Sequence, residues 1–399
     1  MRILSITAQK PDSTGSGVYL TELVKGFQRL GCTQAVVCGT VPEDSIQLPD
    51  GVEAFPVYYN SRELPFPVCG MSDEMPYEST RYRDLSDRMT RQLMAAFRRK
   101  IAEAVDAFRP DVILCHHLYF LAALVRQMYP DIPVYGQCHG SDLRQLATNP
   151  WQADWIKGEI RKLSGIFALH EAQKHQICAM FELPEAAVTV MGTGYNADVF
   201  SIDPAAKCLR QDGRTRFLFA GKISEKKGVY SLLRCLDHLE HPENTELLLA
   251  GGCGSREELD KFRALAEAAP CPVTFLGKLD QKTLAQRMNE SDVFILPSFY
   301  EGLPLVLIEA MACGLKTICT DLPGIRPWLD LALPGNGTVF VTPPKIRSAD
   351  EPLPEELPDF ERRLARAMEA VVSSALPDQN RVAALSWLAL CNKLMSHWI

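Results

Sequence analysis

The sequence predicts an α/β protein with two doubly wound parallel-sheet domains, on three observations. Short runs of apolar and β-branched residues alternate with longer amphipathic segments such as GVYLTELVKGFQRLG (residues 17–31), a pattern typical of parallel strands connected by helices. The alternation occurs in two series, separated by a polar stretch. The length of 399 residues also exceeds what one hydrophobic core usually fills.

Each series contains six candidate strands. The first comprises RILSIT (residues 2–7), QAVVCG (34–39), DVILCHH (111–117), PVYGQCHG (133–140), GIFALH (165–170) and VTVMGTG (188–194). The second comprises RFLFAGK (216–222), TELLLAG (245–251), CPVTFLGK (271–278), VFILPS (293–298), KTICTD (316–321) and GTVFVTP (337–343). Because ligands of open α/β sheets bind beyond the carboxyl ends of the strands, the residues that follow these runs are the candidates for a site.

Two polar stretches interrupt the alternation. Residues 196–216 carry Pro and Gly without a sustained period, so we predict a link between domains there, with a boundary near residue 205. Residues 343–359 (PPKIRSADEPLPEELPD) hold five prolines and are predicted to form a loop. The segment that ends the chain is helical in pattern, and Trp387 and Trp398 are costly to expose, so this helix must pack on something.

The composition argues against several classes of protein. A formal net charge of −7 disfavours a general nucleic-acid binder, whose affinity depends on Lys and Arg at phosphates. The apolar run at the N-terminus is too short for a signal-peptide core, and no window approaches the roughly 20 apolar residues of a membrane span. The 13 cysteines form no C-x-x-C pair or zinc-spaced cluster, which favours buried thiols in a reducing compartment. We therefore expect a soluble, cytoplasmic protein that binds no nucleic acid.

The segment EGLPLVLIEA (residues 301–310) places two glutamates around a predicted helix start. Pro304 suits the first helical position, and the unpaired N–H groups of a first turn favour an anion such as phosphate. Glu301 and Glu309 would accept hydrogen bonds from neutral hydroxyls on either side of that anion, about 12 Å apart if both were helical. The alternative is that Glu301 caps the helix and Glu309 is a solvated surface residue.

A second candidate is the loop in AGKISEKKGVYSLL (residues 220–233). Lys222 ends a predicted strand, and Lys227 precedes Gly228 and a helical pattern. Two lysines five residues apart in such a loop can converge on one diphosphate and neutralise the charge that develops as it leaves. A solvated basic loop is the alternative.

A glycine-rich loop, STGSGVYL (residues 13–20), follows the first strand. Gly15 and Gly17 allow a ligand to approach the backbone closely, and the helix that follows suits an anion. The loop lacks the pattern G-x-G-x-x-G, and no acidic ribose-binding residue follows at the usual distance. A hydride-transfer enzyme is therefore disfavoured.

Histidines follow two strands of the first series. His116 and His117 close one run, and CHGSD places His139 and Asp142 at the end of the next. Single histidines are often structural hydrogen-bonding residues, which is the alternative here. There is no G-x-S-x-G motif to indicate a Ser-His-Asp triad, and no Cys or acidic partner at ligand spacing to indicate a metal site.

Together these motifs resemble the nucleotide-sugar-dependent glycosyltransferases of the GT-B fold, specifically the large retaining family 4 (glycosyl transferases group 1). The resemblance covers nearly the whole chain and is strongest over residues 216–321. The E-x7-E element of that family corresponds to Glu301 and Glu309, and its usual Arg-x4-Lys pair to Lys222 and Lys227. Lys in place of Arg replaces a forked, two-point contact with phosphate by a point charge.

Further motifs support the resemblance. HGSD (residues 139–142) is similar to the His-Gly-Thr-Asp type loop of the family. VMGTGYNADVF (residues 190–200) stands where relatives often read V-x-x-N-G-V-D-x-x-x-F, with the order altered.

The resemblance implies two Rossmann-like domains facing an interdomain cleft. Residues 1–205 would form the acceptor-side domain, residues 206–380 the nucleotide-sugar-binding domain, and residues 381–399 a helix that crosses back to the first domain. Relatives usually need no bound metal, so we expect no metal and no cofactor beyond the nucleotide-sugar co-substrate.

The resemblance also implies roles for residues. Lys222, Lys227 and the amides near Leu303 would hold the diphosphate, Glu309 the ribose, Glu301 the sugar hydroxyls, and the backbone at residues 278–279 the base. The catalytic residues would be His139, Lys222, Lys227 and Glu301. The donor-binding residues would be Gly15, Gly17, Lys222, Lys227, Lys278, Leu279, Glu301, Gly302, Leu303, Leu305 and Glu309. The acceptor-side candidates are His116, His117, Tyr119 and Asp142.

The expected activity is transfer of a hexosyl or N-acetylhexosaminyl group, most simply from a UDP-sugar, to a hydroxyl of a small molecule, glycan or glycolipid. Retention would follow front-face attack, with a donor phosphate oxygen taking the acceptor proton. Two alternatives stay open: a UDP-sugar 2-epimerase on the same fold, and a non-catalytic nucleotide-sugar-binding protein. The acceptor, the linkage, the oligomeric state and a contact with a membrane surface are left open.

Overall fold

The computed structural model describes residues 1–11, 13–72, 75–208, 213–348 and 351–398. The chain divides into two compact units, of which unit 1 is Met1–Gly194 with Trp387–Ile399 and unit 2 is Tyr195–Ser386. The divisions fall after residues 194 and 386, whereas the sequence predicts them near residues 205 and 380. Residues 209–212, in the middle of the predicted link, lie outside the described residues.

Unit 1 is built on a parallel sheet in the order β3-β2-β1-β6-β7-β8-β9 over its described residues. Its strands are β1 (Arg2–Ile6), β2 (Thr33–Thr40), β3 (Glu53–Tyr58), β6 (Val112–His116), β7 (Val134–Gln137), β8 (Gly165–Ala168) and β9 (Val188–Val190). A separate short pair joins β4 (Cys69–Gly70) to β5 (Thr80–Arg81). The central strands β1 and β6 are almost entirely buried, as expected for a sheet covered by helices on both faces.

The helices of unit 1 include one from the end of the chain. They are α1 (Gly15–Arg29), α2 (Asp87–Phe108), α3 (Phe120–Met128), α4 (Ser141–Thr148), α5 (Ala153–Ile160), α6 (Glu171–Phe181) and α15 (Trp387–Met395). The last helix packs closely on α1, because a Cβ at Gly26 would lie 2.4 Å from the Cys391 sulfur. Trp387 is 5% exposed and is buried in this contact, so this C-terminal tryptophan packs within unit 1, as the sequence predicts.

Unit 2 has a parallel sheet in the order β12-β11-β10-β13-β14-β15 over its described residues. Its strands are β10 (Thr215–Ala220), β11 (Thr245–Ala250), β12 (Val273–Gly277), β13 (Val293–Leu296), β14 (Lys316–Thr320) and β15 (Val339–Val341), with a separate antiparallel pair of β16 (Ile346–Ser348) and β17 (Glu351–Pro352). Its helices are α7 (Pro204–Cys208), α8 (Val229–Cys235), α9 (Arg256–Ala268), α10 (Gln281–Asn289), α11 (Leu305–Ala312), α12 (Ile325–Ala332), α13 (Leu357–Ala370) and α14 (Gln379–Ala383).

The prediction of two doubly wound parallel sheets is confirmed, and all twelve candidate strands are present. Strand β3 was not predicted, because Pro56 interrupts its sequence pattern; Pro56 is tolerated since β3 lies at the edge of its sheet. The prediction of a loop over residues 343–359 is wrong in part, since β16, β17 and the start of α13 lie there. Residues 349–350 of that stretch lie outside the described residues.

Neither unit contains a membrane span in its described residues, since none of their helices combines the length and hydropathy that crossing a bilayer requires. The twelve cysteines whose side chains are described are all free thiols. Most of them are buried, as their scattered positions predict.

Candidate active site

The candidate site in unit 2 lies where the strand order reverses, between β10 and β13. At such a reversal, open α/β sheets generally bind ligands outside the carboxyl ends of the strands. The first loop contains a turn of 3-10 helix, Glu225–Lys227, followed by Gly228 in a left-handed conformation (φ 71°). A Cβ at Gly228 would lie only 2.1 Å from the carbonyl oxygen of Pro297, which directly follows β13. Glycine therefore allows the two loops to touch.

This close approach brings together two predicted catalytic residues that are 74 positions apart in the sequence. Lys227 Nζ donates to Glu301 Oε1 at 2.6 Å, and Ser298 Oγ donates to the same oxygen at 2.7 Å. The Lys227 side chain is 30% exposed, the Glu301 side chain is 15% exposed, and Ser298 is fully buried. Lys227 and Glu301 thus form a partly desolvated ion pair, and the buried hydroxyl of Ser298 holds the Glu301 carboxylate in place.

The helix that follows Glu301 begins later than predicted. Pro304 is the N-cap of α11 in an extended conformation (φ −73°, ψ 111°), and the helix starts at Leu305. The prediction that Pro304 is the first helical residue is therefore wrong by one position. Pro304 offers no side-chain cap, so the first-turn amides of Leu305 and Val306, which lack intrahelical partners, are the donors that α11 presents to an anion.

The two glutamates occupy different environments. Glu301 precedes the helix, so it does not cap α11, and the helical estimate of its distance from Glu309 does not apply. Glu309 lies in the second turn of α11 and is only 8% exposed, so the alternative of a solvated surface residue is wrong. A carboxylate in this position can also accept hydrogen bonds from the hydroxyl groups of a ligand, which stays a prediction for Glu309.

Other predicted donor-binding residues of unit 2 follow β10 and β12. Lys222 is exposed, and its amino group lies against the loop after β11, 3.6 Å from where a Cβ of Gly254 would be. The side-chain stem of Lys278 covers Gly252 in the same loop, since a Cβ there would lie 2.5 Å from Lys278 Cε. Leu279 follows, half-buried, just before α10. Their contacts with a diphosphate and a base stay predictions.

Unit 1 has the same reversal of strand order, between β1 and β6, but its chemistry is different. Ser16 Oγ lies 3.1 Å from His117 Nε2 and 3.0 Å from Thr14 Oγ1. His117 has a left-handed backbone conformation (φ 72°), which is uncommon for a residue with a side chain and is often found at functional sites. A hydroxyl–imidazole pair therefore stands where unit 2 has an ion pair.

The predicted glycine loop of unit 1 is part of helix α1. Thr14 is its N-cap and accepts from the amide of Gly17 at 3.1 Å, so this N–H group is already occupied. Gly15 is exposed, and a Cβ there would meet nothing within 4 Å. The space beside Gly15 is consistent with a close ligand approach, which stays a prediction.

Three histidines form a cluster at this end of the sheet. His116 Nδ1 and His139 Nε2 share a hydrogen bond at 3.2 Å, with their rings stacked at 5.4 Å between centroids, and His117 lies 4.8 Å from His139. Burial, reinforced by the neighbouring His117, lowers the pKa of His116 to about 3. Desolvation and the other two imidazoles lower the pKa of His139 well below its ordinary value, and burial also lowers the pKa of His117. The cluster is therefore neutral at physiological pH.

Two acceptor-side candidates have structural partners. Asp142 is fully buried, and its carboxylate accepts from the amides of Leu118 at 2.8 Å and His139 at 3.3 Å, so it holds the two histidine loops together. Tyr119 is 1% exposed, and its hydroxyl accepts from Asn149 at 3.4 Å. These contacts explain why both side chains are buried without invoking an acceptor substrate. The assignment of Asp142 and Tyr119 to acceptor-substrate binding stays a prediction.

Two family models match, one for each unit. The model "Glycosyltransferase Family 4" matches residues 13–199, and the model "Glycosyl transferases group 1" matches residues 205–351. The chain belongs to glycosyltransferase family 4. The fold is the GT-B fold of this family, with one Rossmann-like sheet in each unit.

Individual relatives are distant. An uncharacterized glycosyltransferase of Methanocaldococcus jannaschii is 27% identical over 40% of this chain and 43% of its own length. The alpha-maltose-1-phosphate synthase of Mycobacterium tuberculosis is 25% identical over 82% of this chain and 81% of its own. The chain spans about half the length of the first curated relatives it matches, 43% of the Methanocaldococcus protein and 57% of a mycobacterial glycogen synthase.

Among solved structures, the Anabaena protein HepE in complex with UDP superposes with a TM-score of 0.69. It is 15% identical, and the match covers 99% of each chain. At this identity the likeness concerns the fold alone.

Sequence reasoning missed several polar residues of this glycosyltransferase-family site. Ser298 and Ser16 each bond to a predicted site residue, and Tyr19 packs edge-on against His139 with ring centroids 5.1 Å apart. Ser298 ends a predicted strand, and a polar residue at that position could have been recognised as a candidate site residue. Ser16 lies in the predicted glycine-rich loop and Tyr19 at the start of the predicted helix, and neither position carries a distinguishing pattern. No group of three side chains in the described ranges could hold a metal ion.

Proposed function

We propose that this protein is a retaining hexosyltransferase of the EC 2.4.1 class. It would move a hexosyl or N-acetylhexosaminyl group from a nucleoside-diphosphate sugar, and specifically a UDP-sugar, to an acceptor hydroxyl. The observation that carries this proposal is the Lys227–Glu301 pair, whose glutamate precedes the half-buried first turn of α11. A cation, a carboxylate and free amides at one crevice match a ligand that contains both phosphates and hydroxyls.

We assign a group of unit 2 to each part of the donor. Lys222 and Lys227, with the first-turn amides of α11, would neutralise the diphosphate and the charge that develops on it as it leaves. Glu301 would accept from sugar hydroxyls, and buried Glu309 from ribose hydroxyls. The backbone at residues 278–279 would meet the base.

UDP is the nucleotide we favour. The related fold of HepE was solved in complex with UDP and with UDP-glucose, which is a property of that protein and supports trying the same ligands here first. GDP and ADP are the competitors to be tested beside it.

Retention would follow front-face attack, in which a donor phosphate oxygen takes the proton of the acceptor hydroxyl. The neutral histidines of unit 1 fit a supporting role, because a neutral imidazole can bond to a sugar hydroxyl without adding charge. With two lysines at the diphosphate, we propose that the reaction needs no metal and no further cofactor, so EDTA should leave turnover unchanged. The acceptor would be a small molecule, a glycan or a glycolipid, and the cytoplasmic location stays a prediction.

The decisive experiment is product analysis by mass spectrometry, with UDP-sugars as donors and a pool of hydroxyl-bearing metabolites as acceptors. We expect a new glycoside together with UDP, and an anomeric configuration by NMR equal to that of the donor. An inverted product would contradict retention. An isomerised UDP-sugar without a glycoside would support the 2-epimerase alternative instead.

A thermal-shift series with UDP, GDP and ADP identifies the nucleotide. A ligand at 100 times its dissociation constant stabilises the folded protein by roughly 2.7 kcal/mol, which is readily measured. Lys227→Ala is the control and should lose most of the shift. Stabilisation by none of the three nucleotides in the wild type would contradict the proposed function.

A further inference from the structure

Glu301 Oε1 is the meeting point of two donors. Lys227 Nζ lies 2.6 Å from it and Ser298 Oγ 2.7 Å from it. The two donors come from different loops, since Lys227 follows β10 and Ser298 follows β13. The positive charge that the proposed function assigns to the diphosphate is therefore paired with a carboxylate of the protein itself.

An internal ion pair has a consequence for binding. A diphosphate that approaches Lys227 must draw the ammonium group away from a carboxylate with which it is already in contact. The Lys227 and Glu301 side chains are 30% and 15% exposed, so solvent compensates the separated charges only in part. The carboxylate is then left with one donor, Ser298, unless the ligand brings hydroxyl groups of its own.

We propose that Glu301 competes with the diphosphate for Lys227, and that Ser298 is a positioning residue that keeps Glu301 in place when Lys227 turns to the ligand. This inference rests on the proposed function, and it adds that the site distinguishes the donor from the nucleotide product. A nucleoside-diphosphate sugar compensates Glu301 with sugar hydroxyls, whereas a nucleoside diphosphate does not. After transfer, Glu301 therefore regains Lys227 and favours release of the nucleotide product.

The test compares UDP with a UDP-sugar that the wild type uses, in the variant Glu301→Gln. Glutamine keeps the shape and can still accept from Ser298, but it cannot form an ion pair with Lys227. We expect the dissociation constant of UDP, measured by calorimetry, to fall at least threefold, although the mutated residue lies in the binding site. The ratio of UDP-sugar affinity to UDP affinity should fall at least tenfold, and turnover should fall as well.

A matched control separates competition from general electrostatics. Glu225 lies on the same loop as Lys227 and is exposed, so Glu225→Gln removes one negative charge nearby without touching the pair. We expect UDP affinity in this variant to stay within a factor of 1.5. Equal tightening in Glu225→Gln and Glu301→Gln would overturn the proposal. The double variant Lys227→Ala with Glu301→Gln should bind UDP no more tightly than Lys227→Ala alone.

Ser298→Ala tests the positioning role through a split between two readouts. We expect UDP affinity to stay within twofold of wild type, because Lys227 is unaffected, while kcat for the UDP-sugar falls about fivefold with little change in KM. Parallel losses in UDP affinity and kcat would indicate a merely structural role. Glu301→Ala is the second variant if Glu301→Gln fails to fold.

The outcomes distinguish the two levels of inference. If Lys227→Ala abolishes UDP binding but Glu301→Gln binds UDP no more tightly than wild type, the competition is refuted and the proposed function stands. If the wild type binds no nucleoside diphosphate, both fail together.

Discussion

The two units share a topology but place different chemistry at the same point. Both sheets are parallel, with the order reversing beside their first strand. In unit 1 the residues at this point are hydroxyls and neutral imidazoles, led by Ser16 and His117. In unit 2 they are a cation and a carboxylate, Lys227 and Glu301. The fold thus supplies the crevice, and the side chains decide which unit can hold a charged ligand.

The comparison extends to the glycines that shape each crevice. Gly228 in unit 2 touches the carbonyl of Pro297, whereas Gly15 in unit 1 has open space around it. The loops of unit 2 are therefore tied to each other, while the first turn of α1 tolerates a side chain.

The largest expected effect is on stability, in the variant Gly228→Ala. The added Cβ would lie 2.1 Å from Pro297 O in a left-handed backbone conformation, so strain and collision together should lower the free energy of unfolding by about 3 kcal/mol. Urea unfolding followed by circular dichroism measures it. Gly277→Ala, with the same φ but nothing within 4 Å, should cost about 1 kcal/mol, and Gly15→Ala almost nothing. Equal losses in all three would show that the contact with Pro297 carries no weight.

The second effect concerns pH and unit 1. The pKa of His116 is lowered to about 3 from its ordinary value of 6.5, so the unfolded chain binds a proton that the folded chain does not. Between pH 6.5 and pH 5 the free energy of unfolding should therefore fall by about 2 kcal/mol because of His116 alone. Unfolding experiments across this range, in wild type and His116→Asn, measure the slope.

The control for this slope is another histidine of unit 1. His175 is 63% exposed, so His175→Gln removes an imidazole of unit 1 without altering the burial of His116. A slope in His116→Asn as steep as in wild type would mean that His116 is protonated in the folded protein. The histidine cluster of unit 1 would then carry a positive charge, and the contrast drawn between the two units would be wrong.

The third effect is on catalysis, in Lys227→Ala. Losing the cation at the diphosphate should lower kcat/KM for the donor at least tenfold, about 1.4 kcal/mol of transition-state stabilisation. Steady-state kinetics with a UDP-sugar measure this, and Lys226→Ala, which alters the exposed neighbouring side chain, is the control. A change of less than twofold in Lys227→Ala would show that the charged crevice of unit 2 does not hold the diphosphate.

The fold was predictable because the strands of a parallel sheet, buried on both faces, are recorded directly in the sequence as apolar runs. Exceptions arose where the environment is less uniform: β3 lies at an edge and contains Pro56, and β16 and β17 lie in a proline-rich stretch. Such elements are stabilised by contacts that no local pattern reports.

The proximity of two candidate site residues was predictable, but the bond between them was not. Residues that follow parallel strands are necessarily brought to one edge of the sheet, so Lys227 and Glu301 could be expected to lie close together. That they bond to each other depends on the close approach at Gly228, which the sequence does not encode in any local pattern. Tyr119 shows the converse, since a residue that follows a strand proved to be packed in the core.

The smallest effect is expected at His139, the predicted catalytic residue of unit 1. A neutral imidazole contributes one hydrogen bond where Lys227 contributes a full charge, so His139→Ala should lower hydrolysis of the UDP-sugar about fivefold, near 1 kcal/mol. His139→Gln can keep the bond to His116 and should recover part of the loss. Undiminished hydrolysis in His139→Ala would make the side chain dispensable. A loss as large as that of Lys227→Ala would instead show that the neutral crevice of unit 1 contributes as much as the charged one.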